Sequence, residues 1–209
     1  MLATGIPRFR LPREIREREI ESLKELGIDI RTGITVGRDV TFSYLKERGY
    51  RAFFLSIGAQ LNNKIDIPGE ELDGVVDCMS LLLTLNLKVV TFAGQNVVVI
   101  GGGNAAIDAA RSALRSGARG LTVLYRRTQA EMPANIEEVR EGIREGVKIE
   151  YNTVPVEILG DVGRVNRIRC QRTRPTEEIM GNDAHRLEPI PGTEFLIEAD
   201  HVVVAAGQI

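Results

Sequence analysis

The stretch that decides the fold is residues 97–106, which read VVVIGGGNAA. An apolar run leads into a G-x-G-x-x-A turn, a helical pattern continues to Gly117, and a second apolar run occupies residues 121–125. Strand, glycine turn, helix and strand in this order are typical of a βαβ unit that binds a dinucleotide. The sequence therefore predicts a phosphate-binding turn at 101–106.

Each residue type in the turn has a physical reason. Gly101 lets the chain turn sharply after the strand, and Gly103 leaves the backbone amides open to a pyrophosphate. Ala106 is small enough for close packing of helix on strand, so that the helix N-terminus faces the phosphates. Asn104 has two open roles, capping the helix and contacting phosphate. The predicted site also includes Gly102 and Ala105.

The second strand ends in Arg126 and Arg127. NAD-binding units place an acidic residue at this point, where it accepts hydrogen bonds from the ribose. No carboxylate occurs here between Asp108 and Glu131. Two guanidinium groups fit the 2′-phosphate of NADP, so we interpret the cofactor as NADP rather than NAD. The alternative is that the two arginines are only a solvated strand end.

Composition narrows the classes of protein. An apolar fraction of 43% can fill a core, and 27 basic against 29 acidic residues give no footprint for nucleic acid. Cys78 and Cys170 have no C-x-x-C partner and are interpreted as buried structural thiols. No apolar run reaches membrane-spanning length and no signal peptide is recognisable, so a cytoplasmic protein is expected.

Helices and strands alternate along the chain. A charged helix is predicted from Arg13 to Leu26, and glycines at 27, 49, 117 and 146 are expected to end helices. The helix before Gly146 has Asn135 as a candidate cap, with Glu138 completing a capping box. Short extended segments between 147 and 197 predict a β-meander, and residues 174–191 an exposed hairpin loop.

An internal echo suggests how the domains are arranged. Residues 53–59 (FFLSIGA) resemble residues 202–208 (VVVAAGQ), since each is an apolar strand pattern that ends in small-x-Gly. The two copies bracket the βαβ unit. We therefore predict three parts: 1–86 as a partial FAD-binding-type domain, 87–198 as an NAD(P)-binding domain, and 199–209 as a strand that returns to the first domain.

Several motifs together carry a family resemblance. They are GIPRFRLP at 5–12, REI at 18–20, VGRDVT at 36–41, IPGE at 67–70, GGGNAAID at 101–108, and YRR at 125–127 followed by EMPA at 131–134. With these motifs the chain resembles the small, NADPH-oxidising subunit of glutamate synthase and its flavoprotein relatives. The resemblance runs through essentially all 209 residues.

The resemblance implies an α/β fold: a Rossmann-like three-layer NAD(P)-binding domain with a β-meander, inserted into a partial FAD-binding domain. In this family of flavoproteins with two dinucleotide-binding domains, NADPH reduces FAD and electrons pass onward. The implied cofactors are NADP(H) and FAD. The implied partner is a subunit that carries iron–sulfur clusters or the glutamate synthase large subunit, with no nucleic acid or membrane. Ala206 and Gly207 would help line the flavin side.

The sequence also departs from the family. It has no second G-x-G-x-x-G for the FAD pyrophosphate and no Gly-Asp element after Gly207. The chain is therefore expected to be an interior portion, a fragment or a split gene product, with an incomplete FAD site. No catalytic residue is predicted, and Asp108 is interpreted as a partner of the helix dipole rather than as a catalytic acid.

The sequence leaves two alternative functions. One is a non-catalytic nucleotide-binding or docking subunit of an electron-transfer complex. The other is a self-sufficient NAD(P) dehydrogenase, which the sequence disfavours because none of its four tyrosines is followed four residues later by lysine.

Overall fold

The computed structural model describes residues 2–59, 61–87, 90–179 and 185–208. The chain divides into two compact units. Leu11–Gln60 forms the smaller one, and Met1–Arg10 together with Leu61–Ile209 forms the larger one. Among the described residues, no helix is both long enough and apolar enough to cross a bilayer.

The described chain contains five α-helices, and four of them end at the glycines that the sequence predicted, whereas α3 ends at Asn86 without one. The helices are α1 (Arg13–Glu25), α2 (Phe42–Glu47), α3 (Cys78–Asn86), α4 (Asn104–Arg115) and α5 (Ile136–Glu145), with a 3-10 turn at Gln129–Glu131. Gly27, Gly49, Gly117 and Gly146 follow helix ends with φ between 85° and 108°. This left-handed conformation favours glycine, because other residues have a Cβ that crowds the backbone there.

The larger unit is built on a parallel sheet. Its strands are β1 (Val75–Asp77), β2 (Asn96–Ile100), β3 (Gly120–Leu124), β4 (Lys148–Glu150) and β9 (His201–Val204), in the order β1-β9-β2-β3-β4. All four pairings in this sheet are parallel. The carboxyl ends of β9, β2 and β3 therefore meet at one edge, where ligands bind in open α/β sheets.

An antiparallel sheet covers one face of the parallel sheet. It consists of β5 (Thr153–Asp161), β6 (Arg164–Ile179), β7 (His185–Pro189) and β8 (Phe195–Glu198), with β5, β7 and β8 all paired to β6. Side chains alternate along β2, so that Val97 and Val99 pack with the cluster of α3 and α4, and Val98 and Ile100 with the antiparallel sheet. The three-layer α/β prediction is confirmed.

The placement of β9 corrects the sequence interpretation. Residues 199–209 were predicted to return to a different sheet, but β9 lies between β1 and β2 in the same sheet as the βαβ unit. The predicted boundary at residue 86 also separates β1 from the sheet to which it belongs. Val202–Val204 are buried on both faces, as residues of any interior parallel strand are. An apolar run of this kind therefore does not tell to which sheet the strand belongs.

Two smaller predictions also need correction. The extended segment that ends near Tyr151 is β4, a strand of the parallel sheet rather than of the meander. Residues 174–191 were predicted as a hairpin loop, but β6 continues to Ile179 and pairs with β7. Residues 180–184, at the centre of that prediction, lie outside the described residues.

The smaller unit contains α1 and α2 and few buried side chains. Helix α1 has none, and even its apolar residues Ile15 and Leu23 are 44% and 45% exposed. Residues 53–59 were predicted to be a strand, but they have no regular secondary structure. Phe54, Leu55 and Ile57 are 93%, 65% and 78% exposed. An apolar run becomes a strand only when neighbouring strands satisfy its backbone, and the described residues supply none for this run.

Candidate functional site

The glycine turn sits at the carboxyl edge of the parallel sheet, between β2 and α4. Gly101 has a φ of 144° and donates its amide to the Leu124 carbonyl at 3.0 Å. A Cβ placed on Gly101 would lie 2.5 Å from the carbonyl oxygen of Ala205. Glycine is therefore required there, because β9 ends against the turn.

Gly103 and the start of α4 leave donors open. A Cβ on Gly103 would meet nothing within 4 Å, so this residue borders free space. The amides of Gly103, Asn104 and Ala105 donate to no other group in the described part of the chain. They belong to the orphan donors of a helix N-terminus, which carries a partial positive charge. Ala106 is buried in the core behind them, as close helix packing requires.

The two arginines after β3 differ in their surroundings. Arg126 is exposed, and its side chain forms no hydrogen bond or ion pair with any described residue. Arg127 is mostly buried and pairs with Glu131 at 3.0 Å. Glu131 also accepts hydrogen bonds from the hydroxyl and the amide of Thr128. The bond from the Thr128 hydroxyl is the main cause that lowers the pKa of the Glu131 carboxyl, and the bond from the amide adds to it. Arg126 is thus the free cation of the pair, and Arg127 is partly neutralised.

One cavity of about 710 Å³ joins the predicted parts of the site. Gly101 and Gly102 line it at the end of β2, Arg126 and Arg127 at the end of β3, and Ala206 beyond the end of β9. Gly103, Asn104 and Ala105 are not among its lining residues. The glycine turn and the arginines therefore face a common space that is large enough for part of a dinucleotide.

Ala206 and Gly207 are held by the segment before β1. The Asn63 amide donates to the Gly207 carbonyl at 3.1 Å, and the Asn63 side chain donates to the Ala206 carbonyl at 3.3 Å. Gly207 has a φ of 93°, which explains the glycine. These contacts fix the cavity wall beside β9.

Asn104 and Asp108 both have partners that sequence reasoning missed. The Asn104 side chain accepts from the amide of Asn135, the N-cap of α5, so it ties two helix starts together. Asp108 is buried and accepts two hydrogen bonds from Arg10, at 3.1 and 2.9 Å. The interpretation of Asp108 as a partner of the helix dipole is therefore incomplete, since its main partner is a guanidinium. Glu138 is a further correction, because it pairs with Arg111 instead of completing a capping box.

Other residues of the cavity were also missed. Lys64 is exposed on the wall beside Asn63, and Thr153 to Pro155 close the side near the arginines. Lys64 forms no ion pair with a described residue. No local sequence pattern identifies Lys64 as a site residue, because the contacts of Asn63 with residues 206 and 207 are what bring it to the cavity.

The two cysteines are buried, as the sequence predicted, and His201 is half-buried beside the core. Cys78 and Cys170 are unpaired and buried, and burial raises the pKa of each thiol to about 12. Burial also lowers the pKa of His201, which stacks edge-on against Phe92 at 5.0 Å. The two cysteines are structural parts of the core, and His201 packs at its edge.

Comparison with known proteins identifies the family of this chain. The family described as pyridine nucleotide-disulphide oxidoreductase matches residues 39–209. The chain belongs to this family.

Relatives match the chain over its whole length. It is 41% identical to the beta subunit of the NADP(+)-dependent formate dehydrogenase of Moorella thermoacetica, covering 100% of this chain and 30% of that protein. It is 38% identical to the beta subunit of the NADPH-Fe(3+) oxidoreductase of Geobacter sulfurreducens, covering 100% and 31%. It is 37% identical to the small chain of the NADPH glutamate synthase of Halomonas elongata, covering 99% and 45%. The predicted resemblance is confirmed, and the chain spans less than half the length of these relatives.

Solved structures agree on the fold. FprA from Mycobacterium tuberculosis superposes with a TM-score of 0.79 at 20% identity, covering 99% of this chain and 61% of that one. A thioredoxin reductase from Lactococcus lactis gives a TM-score of 0.54 at 21% identity, covering 72% and 42%. At these identities the likeness supports the fold class alone.

Proposed function

We propose that this chain is the NADP(H)-binding portion of an FAD-dependent pyridine-nucleotide oxidoreductase that resembles the glutamate synthase small subunit. It would take part in passing hydride from NADPH to FAD and electrons onward. The observation that carries the proposal is the single cavity shared by the glycine turn and by Arg126 and Arg127. A phosphorylated adenine dinucleotide has negative groups suited to both.

The residues fit a nucleotide on three structural grounds. Free space lies where a side chain on Gly103 would project, three amides at the start of α4 lack acceptors among the described residues, and Arg126 lacks a counter-ion there. These are the features that a pyrophosphate and a 2′-phosphate would satisfy. The proposed cofactor-binding residues are Gly101, Gly102, Gly103, Asn104, Ala105, Ala106, Arg126 and Arg127, with Ala206 and Gly207 on the opposite wall.

The chemistry belongs to the cofactors. When bound, the nicotinamide supplies a hydride and the flavin accepts it, so the protein needs to supply only binding, orientation and exclusion of water. Gly101 and Gly102 line the cavity at the sheet edge, and Gly103 leaves free space beside the open amides. Tyr125, Thr153 and Pro155 shape the wall beside the arginines and keep water from that side.

The flavin, the partner and the cellular location rest on the relatives and the sequence. The three relatives named above carry the names of subunits or chains, and this chain covers 30%, 31% and 45% of them. We propose that residues 11–60 contribute to an FAD-binding-type domain, that a partner subunit receives the electrons, and that the protein works in the cytoplasm. Ala206 and Gly207 would then lie toward the flavin.

The test compares the binding of NADPH and of NADH to the purified chain, and nicotinamide fluorescence measures both affinities. Wild-type protein should bind NADPH more tightly than NADH. Replacing Arg126→Asp together with Arg127→Ser should remove this preference, because carboxylate would replace guanidinium where the 2′-phosphate is expected. An unchanged NADPH affinity in the double variant would overturn the NADP assignment.

A second candidate is a non-catalytic docking subunit, and the exposed apolar side chains of Phe54, Leu55 and Ile57 favour it. Visible absorbance separates the two. Bound flavin that is bleached by NADPH supports the oxidoreductase. Because the FAD site is expected to be incomplete in this chain, colourless protein that binds NADPH is then supplied with FAD and with the missing FAD-binding segments of a relative. Flavin reduction by NADPH in that mixture supports the oxidoreductase, and its absence supports the docking subunit.

A further inference from the structure

A buried carboxylate stands directly behind the proposed anion site. Asp108 lies four residues after Asn104 on α4, which corresponds to about 6 Å along the helix axis. Its side chain is only 9% exposed. Nothing in the proposed binding of a nucleotide uses this carboxylate, and a negative charge at this place should weaken the binding of phosphate.

Arg10 is the group that compensates the charge. Its Nη1 donates to both carboxylate oxygens of Asp108, at 3.1 and 2.9 Å. The other charged groups around Asp108 are Arg111 on α4 and Glu138 on α5, and Glu138 pairs with Arg111 and, at 3.8 Å, with the Nε of Arg10. The Cys78 thiol on α3 is also close enough for Asp108 to raise its pKa. Of these groups, only Arg10 forms an ion pair with Asp108.

The segment that carries Arg10 is anchored on the helices of the same unit. The Asn86 side chain at the end of α3 donates to the carbonyls of Thr4 and Ile6, at 2.7 and 3.3 Å. Phe9 stacks under the guanidinium groups of Arg111 and Arg115, with ring distances of 4.6 and 4.4 Å. Arg10 is therefore held in place by its neighbours and not only by its ion pair.

Burial and pairing act on Asp108 in opposite directions. Desolvation raises the pKa of its carboxyl, and the hydrogen bonds and charge of Arg10 lower it. With Arg10 in place, the carboxylate can be ionised without presenting a net charge to the helix N-terminus. Without Arg10, an ionised Asp108 would repel phosphate through low-dielectric protein, where charges interact more strongly than in water.

We propose that Arg10 is a positioning residue of the nucleotide site, which acts through Asp108: it cancels the carboxylate charge and orients the first turns of α4 toward phosphate. This inference rests on the proposed function, since it assumes that the 101–106 turn binds a pyrophosphate. It assigns a binding role to the GIPRFR segment at 5–10.

The test measures NADP⁺ affinity by calorimetry in the full chain and in four variants. They are Arg10→Met, Asp108→Asn, the two combined, and Arg10→Lys. The matched control is Arg140→Met, which breaks an exposed ion pair with Glu137 on α5. NADP⁺ is used because it withstands the acidic buffers that destroy NADPH.

Arg10→Met should weaken NADP⁺ binding about tenfold, because it leaves an uncompensated charge behind the phosphates. Adding Asp108→Asn should restore affinity to within about twofold of wild type, since the charge is then gone. Asp108→Asn alone should bind no more weakly than wild type. Arg10→Lys should stay within about threefold, because lysine keeps the charge but loses the planar fork. Arg140→Met should bind as wild type does.

The pH dependence provides a readout that loss of packing would not produce. In Arg10→Met, protonation of Asp108 removes the offending charge, so the deficit should be present near pH 8 and shrink as the pH falls toward 5. The ratio of its dissociation constant to that of the double variant is the measured quantity. Titration of the ligand's own phosphate is common to both variants and cancels in the ratio, and the Cys78 thiol, whose pKa is raised to about 12 chiefly by burial, stays protonated over this range.

The outcomes are distinguishable. Failure of the wild-type chain to bind NADP⁺ would overturn the proposed function itself. Normal wild-type binding with unchanged binding by Arg10→Met would overturn only the role of Arg10. If the double variant binds NADP⁺ as weakly as Arg10→Met at every pH, Arg10 acts through packing alone, and the proposed role through Asp108 is wrong. If Arg10→Met does not fold, the affinities of Arg10→Lys and Asp108→Asn decide, and weak binding by Asp108→Asn contradicts the proposal.

Discussion

Gly102 lies flat against the ring of Tyr125, so that a Cβ on Gly102 would stand 2.3 Å from two of the ring carbons. The ring has little room to retreat, because Tyr125 is buried and its hydroxyl donates to the Glu131 carbonyl at 2.7 Å. The second glycine of the turn is therefore required by packing. Its neighbour Gly103 borders open space, so the two adjacent glycines serve different purposes.

Alanine substitutions should separate these purposes. Gly102→Ala should lower the free energy of unfolding by about 1–3 kcal/mol, because it overpacks a buried ring. Gly103→Ala should lower that free energy by less, about 0.5–1 kcal/mol, which is the difference between glycine and alanine at a helix N-cap. It should instead weaken NADPH binding, because its methyl group enters the space beside the open amides. Urea unfolding and NADPH titration of both variants check this, and equal stability losses would contradict it.

Removing the carboxylate of Glu131 should have two opposite effects. Glu131→Gln frees Arg127 from its ion pair, so NADPH affinity should rise a few-fold while NADH affinity stays constant. The same change weakens the capping interaction with Thr128, and the free energy of unfolding should fall by about 1 kcal/mol. Fluorescence titration and urea unfolding provide the two measurements. Glu141→Gln, which breaks an exposed pair with Arg144, is the control. A loss of NADPH affinity in Glu131→Gln would show that Arg127 needs its glutamate in order to be positioned.

Lys64 should contribute to affinity without distinguishing the two nucleotides. It faces the cavity from the wall beside β9, whereas Arg126 and Arg127 face it from the end of β3. Lys64→Met should therefore weaken NADPH and NADH by the same factor, about three- to tenfold for one exposed cation. Arg126→Ala should weaken NADPH alone. Lys148 lies at the start of β4 and does not line the cavity, so Lys148→Met should change neither the NADPH affinity nor the NADH affinity. If Lys64→Met lost affinity for NADPH alone, the 2′-phosphate would lie beside Lys64 and not beside Arg126, which would contradict the prediction.

The parts of the fold that depend on neighbouring residues were predictable from the sequence. Helix ends followed from glycines that adopt left-handed dihedrals, and the βαβ unit followed from its apolar runs and its turn. Arg126 and Arg127 could be placed on the same edge as Gly101, because parallel neighbouring strands end together.

The parts that depend on distant residues were not predictable. Residues 53–59 and 202–208 carry nearly the same pattern, yet the first run is irregular and the second begins within β9, an interior strand of the parallel sheet. The difference lies in the strands available to pair with them, which no local pattern encodes. Asp108 and Arg10 are 98 residues apart, and only tertiary packing brings them together. Lys64 was missed for the same reason.

The ion pairs beside α4 should make stability depend on pH through Glu145. Hydrogen bonds from Arg111, the largest cause, and from Arg115 hold the pKa of Glu145 at about 2, below its ordinary 4.5. A carboxyl with a lowered pKa contributes stability above its unfolded pKa and loses it as the pH falls toward the folded value. At neutral pH, Glu145→Gln should therefore cost on the order of 2 kcal/mol, after allowance for partial exposure.

The difference in unfolding free energy between wild type and Glu145→Gln should shrink by about half or more between pH 7 and pH 3, because most of the linkage is lost there. Asp108 titrates in the opposite sense, since burial raises the pKa of its carboxyl, but it is present in both proteins and cancels in the difference. Glu137→Gln, whose partner Arg140 is exposed, should differ from wild type by less than about 1 kcal/mol at every pH. Urea unfolding across this range measures all three proteins. A constant difference for Glu145→Gln would mean that Arg111 does not depend on this carboxylate for its charge balance, and that Glu138 alone holds the guanidinium beside Phe9.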